Sequence, residues 1–154
     1  MLSPLELRQA NLLCLDVQVS PSWDLKPVVD DPQKYEHTVD VDVRKRRNHW
    51  DFRVSLDVTF TPKPDETCRM GRIHIAVVGL FHLPDETDEA LVEKLVPLNC
   101  YAILYGIARG VVAQATGMVP GGPFMIPAVN FVETLKQKKK RKPKEPALGE
   151  AGGR

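Results

Sequence analysis

Aromatic side chains are scarce in this 154-residue sequence. Two Trp, three Tyr and five Phe make up 6% of it, so a core must be filled mainly by aliphatic packing. Cysteine is scarcer still. Cys14, Cys68 and Cys100 lie far apart, an odd set without regular spacing that excludes a disulfide framework and suits a reducing compartment. His37, His49, His74 and His82 have no metal-ligand spacing and make no zinc motif with the cysteines. No nucleophile elbow, Ser/His/Asp signature or paired-carboxylate motif stands out, and Gly117–Gly122 lacks the lysine and strand-to-helix context of a phosphate loop. Neither enzymatic chemistry nor a cofactor or metal is expected. The start, Met1-Leu2-Ser3-Pro4-Leu5-Glu6, has neither a basic nor an apolar signal region, and no apolar run approaches the ~20 residues of a membrane span, so a cytoplasmic protein is expected.

What is present is a 43% hydrophobic chain, enough for one domain with a core and too little for two. Its net charge of +1 hides an asymmetry: residues 136–154 carry eight basic and two acidic side chains, and residues 1–135 carry thirteen basic and eighteen acidic ones. The run Lys138-Lys139-Lys140-Arg141-Lys142 opens a basic tail, and the chain divides into a folded domain over 1–140 and a disordered tail over 141–154. Such a tail is most simply a solvated end; its alternative use is a weak electrostatic contact with RNA or anionic lipid.

Alternation marks four strands. Leu13, Leu15, Val17 and Val19 alternate with Cys14, Asp16 and Gln18 in a first strand over Leu7–Val19. Ser20–Pro32, with Pro21, Pro27 and Pro32, is a long connection that cannot stay regular. Val39, Val41 and Val43 define a second strand, about His37–Arg44. Trp50, Phe52, Val54, Leu56, Val58 and Phe60 define a third, which Pro62-Lys63-Pro64-Asp65 ends. A fourth, about Cys68–Phe81, is apolar on both faces from Ile73 to Leu80 except at His74. That pattern predicts cover on both sides, most economically from a second subunit.

Helical spacing then takes over. Asp85, Glu86, Asp88 and Glu89 open a segment reaching Val96, where the helix dipole favours negative charge. Pro97 separates it from a longer helix over Asn99–Met118, in which Ile103, Ile107, Val111 and Ala115 form one stripe and Leu104, Ala108 and Val112 another. After the breakers Gly117, Pro120, Gly121, Gly122 and Pro123, a short helix runs over about Asn130–Lys140. Four strands followed by helices predict an α+β fold: a four-stranded antiparallel sheet, then a long helix and a shorter C-terminal one.

The run Ile103-Leu104-Tyr105-Gly106-Ile107-Ala108-Arg109, a glycine-rich break, and Ile126-Pro127-Ala128-Val129-Asn130-Phe131 resemble the protein-export chaperone family SecB. The local match covers about a quarter of the chain, and the order of elements matches nearly all of it. The resemblance implies a homo-oligomer, a dimer of dimers, with long helices sandwiched between sheets. Its interface would include Gly71, Ile73 and Ile75 on the fourth strand and Ile103, Ile107 and Val111 on the helix. It implies a holdase for unfolded preproteins, passed to the SecA motor, with clients gripped between the crossover loop and the last helix at Trp23, Leu25, Phe124, Met125, Phe131 and Leu135. Trp23 has an equally good reading as a loop anchor, and Trp50 reads as core. The family presents acidic residues to SecA from the sheet's outer face. Here Asp16 holds one such place, while Ser20 and Arg72 occupy others and the tail is basic rather than acidic. SecB-like proteins of toxin–antitoxin systems share the fold and form the alternative; an adaptor working through the tail on RNA or a membrane surface is another.

Overall fold

The structure, a computed structural model, describes residues 4–21, 23–24, 30–46 and 50–141, with backbone only for Leu95 and residues 138–141. Leu25, His49 and residues 142–154 of the expected tail lie outside the described residues. The elements are β1 (Glu6–Val19), β2 (Tyr35–Lys45), β3 (Asp51–Pro62), β4 (Met70–His82), α1 (Glu89–Thr116) and α2 (Phe131–Arg141), with a 3-10 turn at Pro32–Lys34 before β2. The four strands form one antiparallel sheet in the order β1-β4-β3-β2. Each strand forms where alternation predicts it, with ends moved by a residue or two.

The sheet has a dry inner face and a wet outer one. On β3, Val54, Leu56 and Val58 are 0% exposed and face α1, whose Leu104, Ala108 and Val112 are also 0% exposed. Each such side chain removed from water stabilises the fold by about 1.5–3 kcal/mol before ordering entropy is counted. α1 crosses β4 and β3 and only grazes β1. It comes very close to β4 at Gly79, where an added Cβ would lie 2.6 Å from the Phe81 ring and 2.8 Å from Leu104 Cδ2. The missing side chain at 79 lets the helix settle on the sheet.

Three sequence expectations are corrected. First, Pro97 does not divide the helices. α1 is continuous for 28 residues from Glu89, behind Asp88, whose carboxylate caps the amide of Ala90 at 3.2 Å. Proline inside a helix forfeits one hydrogen bond and crowds the preceding turn. Val92, Val96, Cys100 and Tyr101, buried on either side of it, hold the helix together. The uninterrupted helix is therefore apolar and long enough, by length and composition alone, to cross a membrane, contrary to the expectation of no such run; it serves here as the core helix of the sheet.

Second, β1 does not alternate strictly. Register breaks near Leu7/Gln9 and Leu12/Cys14 place Leu12, Leu15 and Val17 on the inner face, opposite Val77, Ile75 and Ile73, and leave Leu13 unpaired. A bulge inserts one residue and reverses the sidedness that counting by two assigns beyond it. Third, the outer face of β4 is not uniformly hidden. Val78 is 6% exposed between Asn11 and Ser55, whereas Leu80 is 40% exposed.

Candidate functional site

The region between the crossover after β1 and the last helix is held by polar side chains. Arg69, 0% exposed, ion-pairs with Asp30 at the end of the crossover. It also donates from Nη1 to the carbonyls of Gly122 at 2.6 Å and Pro120 at 3.2 Å. Its own carbonyl accepts from the Ser20 amide at 2.8 Å, so one residue joins both ends of the crossover to the loop after α1. Gly121 has a φ of +97°, a region L side chains rarely adopt, and a Cβ there would sit 3.0 Å from Arg69 Cδ. Burying a guanidinium is costly unless its donors are met; here a carboxylate and two carbonyls meet them.

The extended segment after that loop is held against α1. The Thr116 hydroxyl accepts from the Phe124 amide at 2.7 Å and donates to the Val112 carbonyl at 2.7 Å. Arg109 Nε donates to the Ile126 carbonyl at 2.9 Å, and the Tyr105 hydroxyl to the Pro127 carbonyl at 2.6 Å. Asn130 then caps α2, its side chain accepting from the Val132 amide at 3.1 Å. Phe131 packs edge-on against Tyr105, with centroids 5.3 Å apart, and beside Tyr101. Burial pushes the phenols of Tyr101 and Tyr105 and the thiol of Cys100 up to about 12. These three side chains therefore stay neutral well into alkaline pH.

The predicted client residues part company. Phe124 (1% exposed), Trp23 (8%) and Phe131 (9%) are buried within the chain, so Trp23 takes its loop-anchor reading. Met125 is exposed (57%) and Leu135 half-buried. β2 and α2, the helix that carries Leu135, flank a hollow of about 390 Å³ lined by His37, Thr38, Val39, Asp40, Val129, Thr134 and Gln137. Of the predicted interface residues, Ile73 and Ile75 are 0% exposed on the inner face of β4 and have no surface left to offer. Gly71, Ile103, Ile107 and Val111 retain surface, with Ile103 37% exposed. Gly106 and Gly110, on the same side of α1, face open space. Asp16 stands on the outer face of β1, its carboxylate 3.5 Å from Arg72 and bonded by Gln18.

Sequence reasoning missed several features. Tyr105 and Arg109 were read as part of a motif, and their clasp on residues 126–127 shows what they do locally. The inner-face Leu12 (49% exposed) and Leu15 (37%) lie on an edge strand that α1 leaves largely uncovered. Arg69 gave no signal, because nothing in a single arginine at a strand's start tells burial from exposure. The outer face also carries a second hollow, about 450 Å³, at one end of the sheet, with Arg8, Arg44, Lys45, Arg46 and Arg53 around it. Basic charge is thus present on the sheet itself as well as in the tail.

A four-stranded antiparallel sheet backed by one long helix, with an uncovered apolar flank, defines the two-layer α+β build of the SecB-like chaperones. The structure shares its fold with the SecB-like chaperone Rv1957 of Mycobacterium tuberculosis, solved in complex with a ChAD peptide from the HigA1 antitoxin Rv1956 (TM-score 0.58, 14% identity, 82% of this chain and 88% of that one covered). A protein of unknown function from Streptococcus agalactiae aligns at a TM-score of 0.46 and 13% identity over 80% of this chain and 97% of that one. No curated protein matches the chain by sequence. Residues 16–142 match the family model described as preprotein translocase subunit SecB, and the chain belongs to the SecB family, a family of chaperones.

Proposed function

We propose that this protein is an ATP-independent holdase that binds unfolded preproteins in the cytoplasm for Sec-dependent export. Within the SecB family the feature that carries this reading is the uncovered apolar surface: Leu12, Leu15 and Ile103, with Met125 and Val132 on the far side. Two uses share it. Ile103, Ile107 and Val111, with Gly71 at the end of β4, would pack copies into a dimer of dimers, with Ile73 and Ile75 shaping that surface from beneath. Met125 and Leu135, together with the hollow between β2 and α2, would touch the client, while Trp23, Phe124 and Phe131 support them from within. Leu25 completes the proposed client set. Several shallow contacts along one stretched chain add through effective concentration, so no deep pocket is needed. Asp16 is the proposed acidic contact for SecA, with Arg72 3.5 Å away partly offsetting its charge.

The test combines light scattering of an unfolded, reduced client with native mass measurement. Stoichiometric suppression of aggregation by an oligomer, with Ile103→Asp falling to a single folded subunit, is expected. A wild-type monomer that leaves aggregation untouched would sink the reading. A second recipient is favoured by the likeness to Rv1957, whose complex contains an antitoxin peptide. In that case binding of an antitoxin-derived peptide would exceed binding of preproteins, and SecA would not compete. The basic tail is proposed as a weak contact for RNA or anionic lipid. Replacing Lys138, Lys139, Lys140, Arg141 and Lys142 with Gln, which removes five of the eight basic side chains of residues 136–154, should then abolish salt-sensitive binding to both while holdase activity persists.

A further inference from the structure

On the outer face of the sheet, the side away from α1, three side chains from three strands form a relay. Cys14 Sγ of β1 lies 3.5 Å from Nδ1 of His74 on β4, and Nε2 of His74 lies 3.0 Å from both carboxylate oxygens of Asp57 on β3. The register explains the meeting. Cys14 and Asp57 both stand opposite Ala76, one on each side of β4, and His74, two residues before Ala76, reaches diagonally to both. The bulge at Leu12/Cys14 puts the cysteine in this row. The carboxylate only accepts, so Nε2 carries the proton; Nδ1 of the neutral ring then accepts from the Cys14 thiol. The two ring nitrogens face opposite partners, so a single metal ion could not bind Cys14 and Asp57 through this histidine.

This is the order of groups that activates a thiol: nucleophile, base, and a carboxylate that fixes the base's tautomer and supports its cation. The other two cysteines have no such neighbours. Cys68 and Cys100 are buried at 4% and 0% exposure, and burial raises both thiols, whereas Cys14 is half-buried and in no disulfide. Beside Ala76 and Asp57 opens a hollow of about 210 Å³, lined also by Leu13, Asp40, Asp42 and Ser55. Its three carboxylates outnumber the one guanidinium beside them, Arg44 at 3.0 Å from Asp42, and so favour a cationic group and repel an anionic one.

We propose that Cys14 is a nucleophilic modification site that takes cationic low-molecular-weight disulfides, with His74 as its base and Asp57 as a positioning residue. His74 takes the thiol proton, and the Cys14 thiolate attacks one sulfur of the disulfide RSSR. The Sγ–S bond forms as the S–S bond breaks, and the departing RS⁻ takes the proton back from His74. Cys14 is oxidised to a mixed disulfide and half of the reagent is reduced to RSH. The ammonium of the retained half sits over Asp40, Asp42 and Asp57. The other charged groups bearing on the relay and its hollow are Asp16, opposite His74, Arg72, 3.5 Å from Asp16, and Arg44, whose Nε lies 3.0 Å from Asp42.

The full chain is treated with cystamine and with oxidised glutathione across pH 5 to 9, and adducts are located by mass spectrometry of peptides. The expected result at neutral pH is a single cystamine adduct on Cys14. It should form roughly tenfold faster than on free cysteine, because a base held within reach of the sulfur takes the thiol proton as the attack proceeds. Oxidised glutathione should react more slowly than cystamine. His74→Asn should lose the rate advantage and steepen the pH profile toward that of a simple thiol, and Asp57→Asn should narrow the gap between the two reagents. Cys68→Ser should change nothing. The wild-type comparison with free cysteine needs no variant to fold: equal rates at every pH overturn the proposal, as does an adduct on Cys68 or Cys100 in its place.

Discussion

Along β3, Phe52, Val54, Leu56, Val58 and Phe60 point to one side, and Asp51, Arg53, Ser55, Asp57 and Thr59 to the other. The first set is sealed under α1 and makes the fold. The second carries two carboxylate–imidazole contacts: Asp51 reaches His82 at 2.6 Å and Asp57 reaches His74 at 3.0 Å. Stability on the inner side comes from area removed from water, which is insensitive to direction. On the outer side it comes from exposed pairs, worth little each, whose interest lies in their geometry. One strand thus supplies both a core and a chemically addressable surface, one residue apart.

The sharpest way to break that contrast is at Arg69, where a charge sits in the interior. Arg69→Met leaves Asp30 and two carbonyls without their partner and should cost about 3–5 kcal/mol in urea unfolding. A loss under 1 kcal/mol would mean that water replaces the guanidinium easily. Next is Leu56→Ala, at 0% exposure, expected to cost about 2–5 kcal/mol through lost transfer energy and the cavity left behind. Gly79→Ala comes third, at about 1–3 kcal/mol, because its methyl would press on Phe81 and Leu104 in a filled core.

Alkali probes the same interior more gently. The Cys100 thiol moves from its ordinary 9.0 to about 12, and Tyr101 and Tyr105 from 10.0 to about 12. Above pH 9 the unfolded chain releases protons that the folded chain keeps, so this stability is complete below pH 9 and is lost as pH rises toward 12. At pH 10 Cys100 alone accounts for on the order of 1 kcal/mol, measurable as a lower denaturant midpoint that Cys100→Ala partly restores. The smallest effect belongs to the outer face: Ser55→Ala, one residue from Leu56, should stay within about 0.5 kcal/mol. A larger loss there would dissolve the distinction between the faces.

Much of this was legible beforehand. Strict alternation on β3 allows one reading, and the helical stripe Leu104, Ala108, Val112 identifies the buried side of α1. What escaped has physical causes. A bulge leaves no trace in composition, so Leu13 was assigned to the same face as Leu15. Pro97 was weighed as a breaker without the tertiary cover that holds the helix together around it. Phe124 and Phe131 look like client contacts in a sequence because a phenyl ring reads the same whether it waits for a partner or packs on Tyr35 or Tyr105. Cys14 and His74, sixty residues apart, meet only through the register of β1 on β4.

The four-way grip of Arg69 also bears on how this end of the molecule comes loose. Residues 20, 30, 69 and 120–122 share one side chain or its backbone. The loops it gathers should therefore fray as a unit, exchanging their amide hydrogens at a common rate. A client tugging on the crossover would be felt at the glycines beyond α1 in the same event.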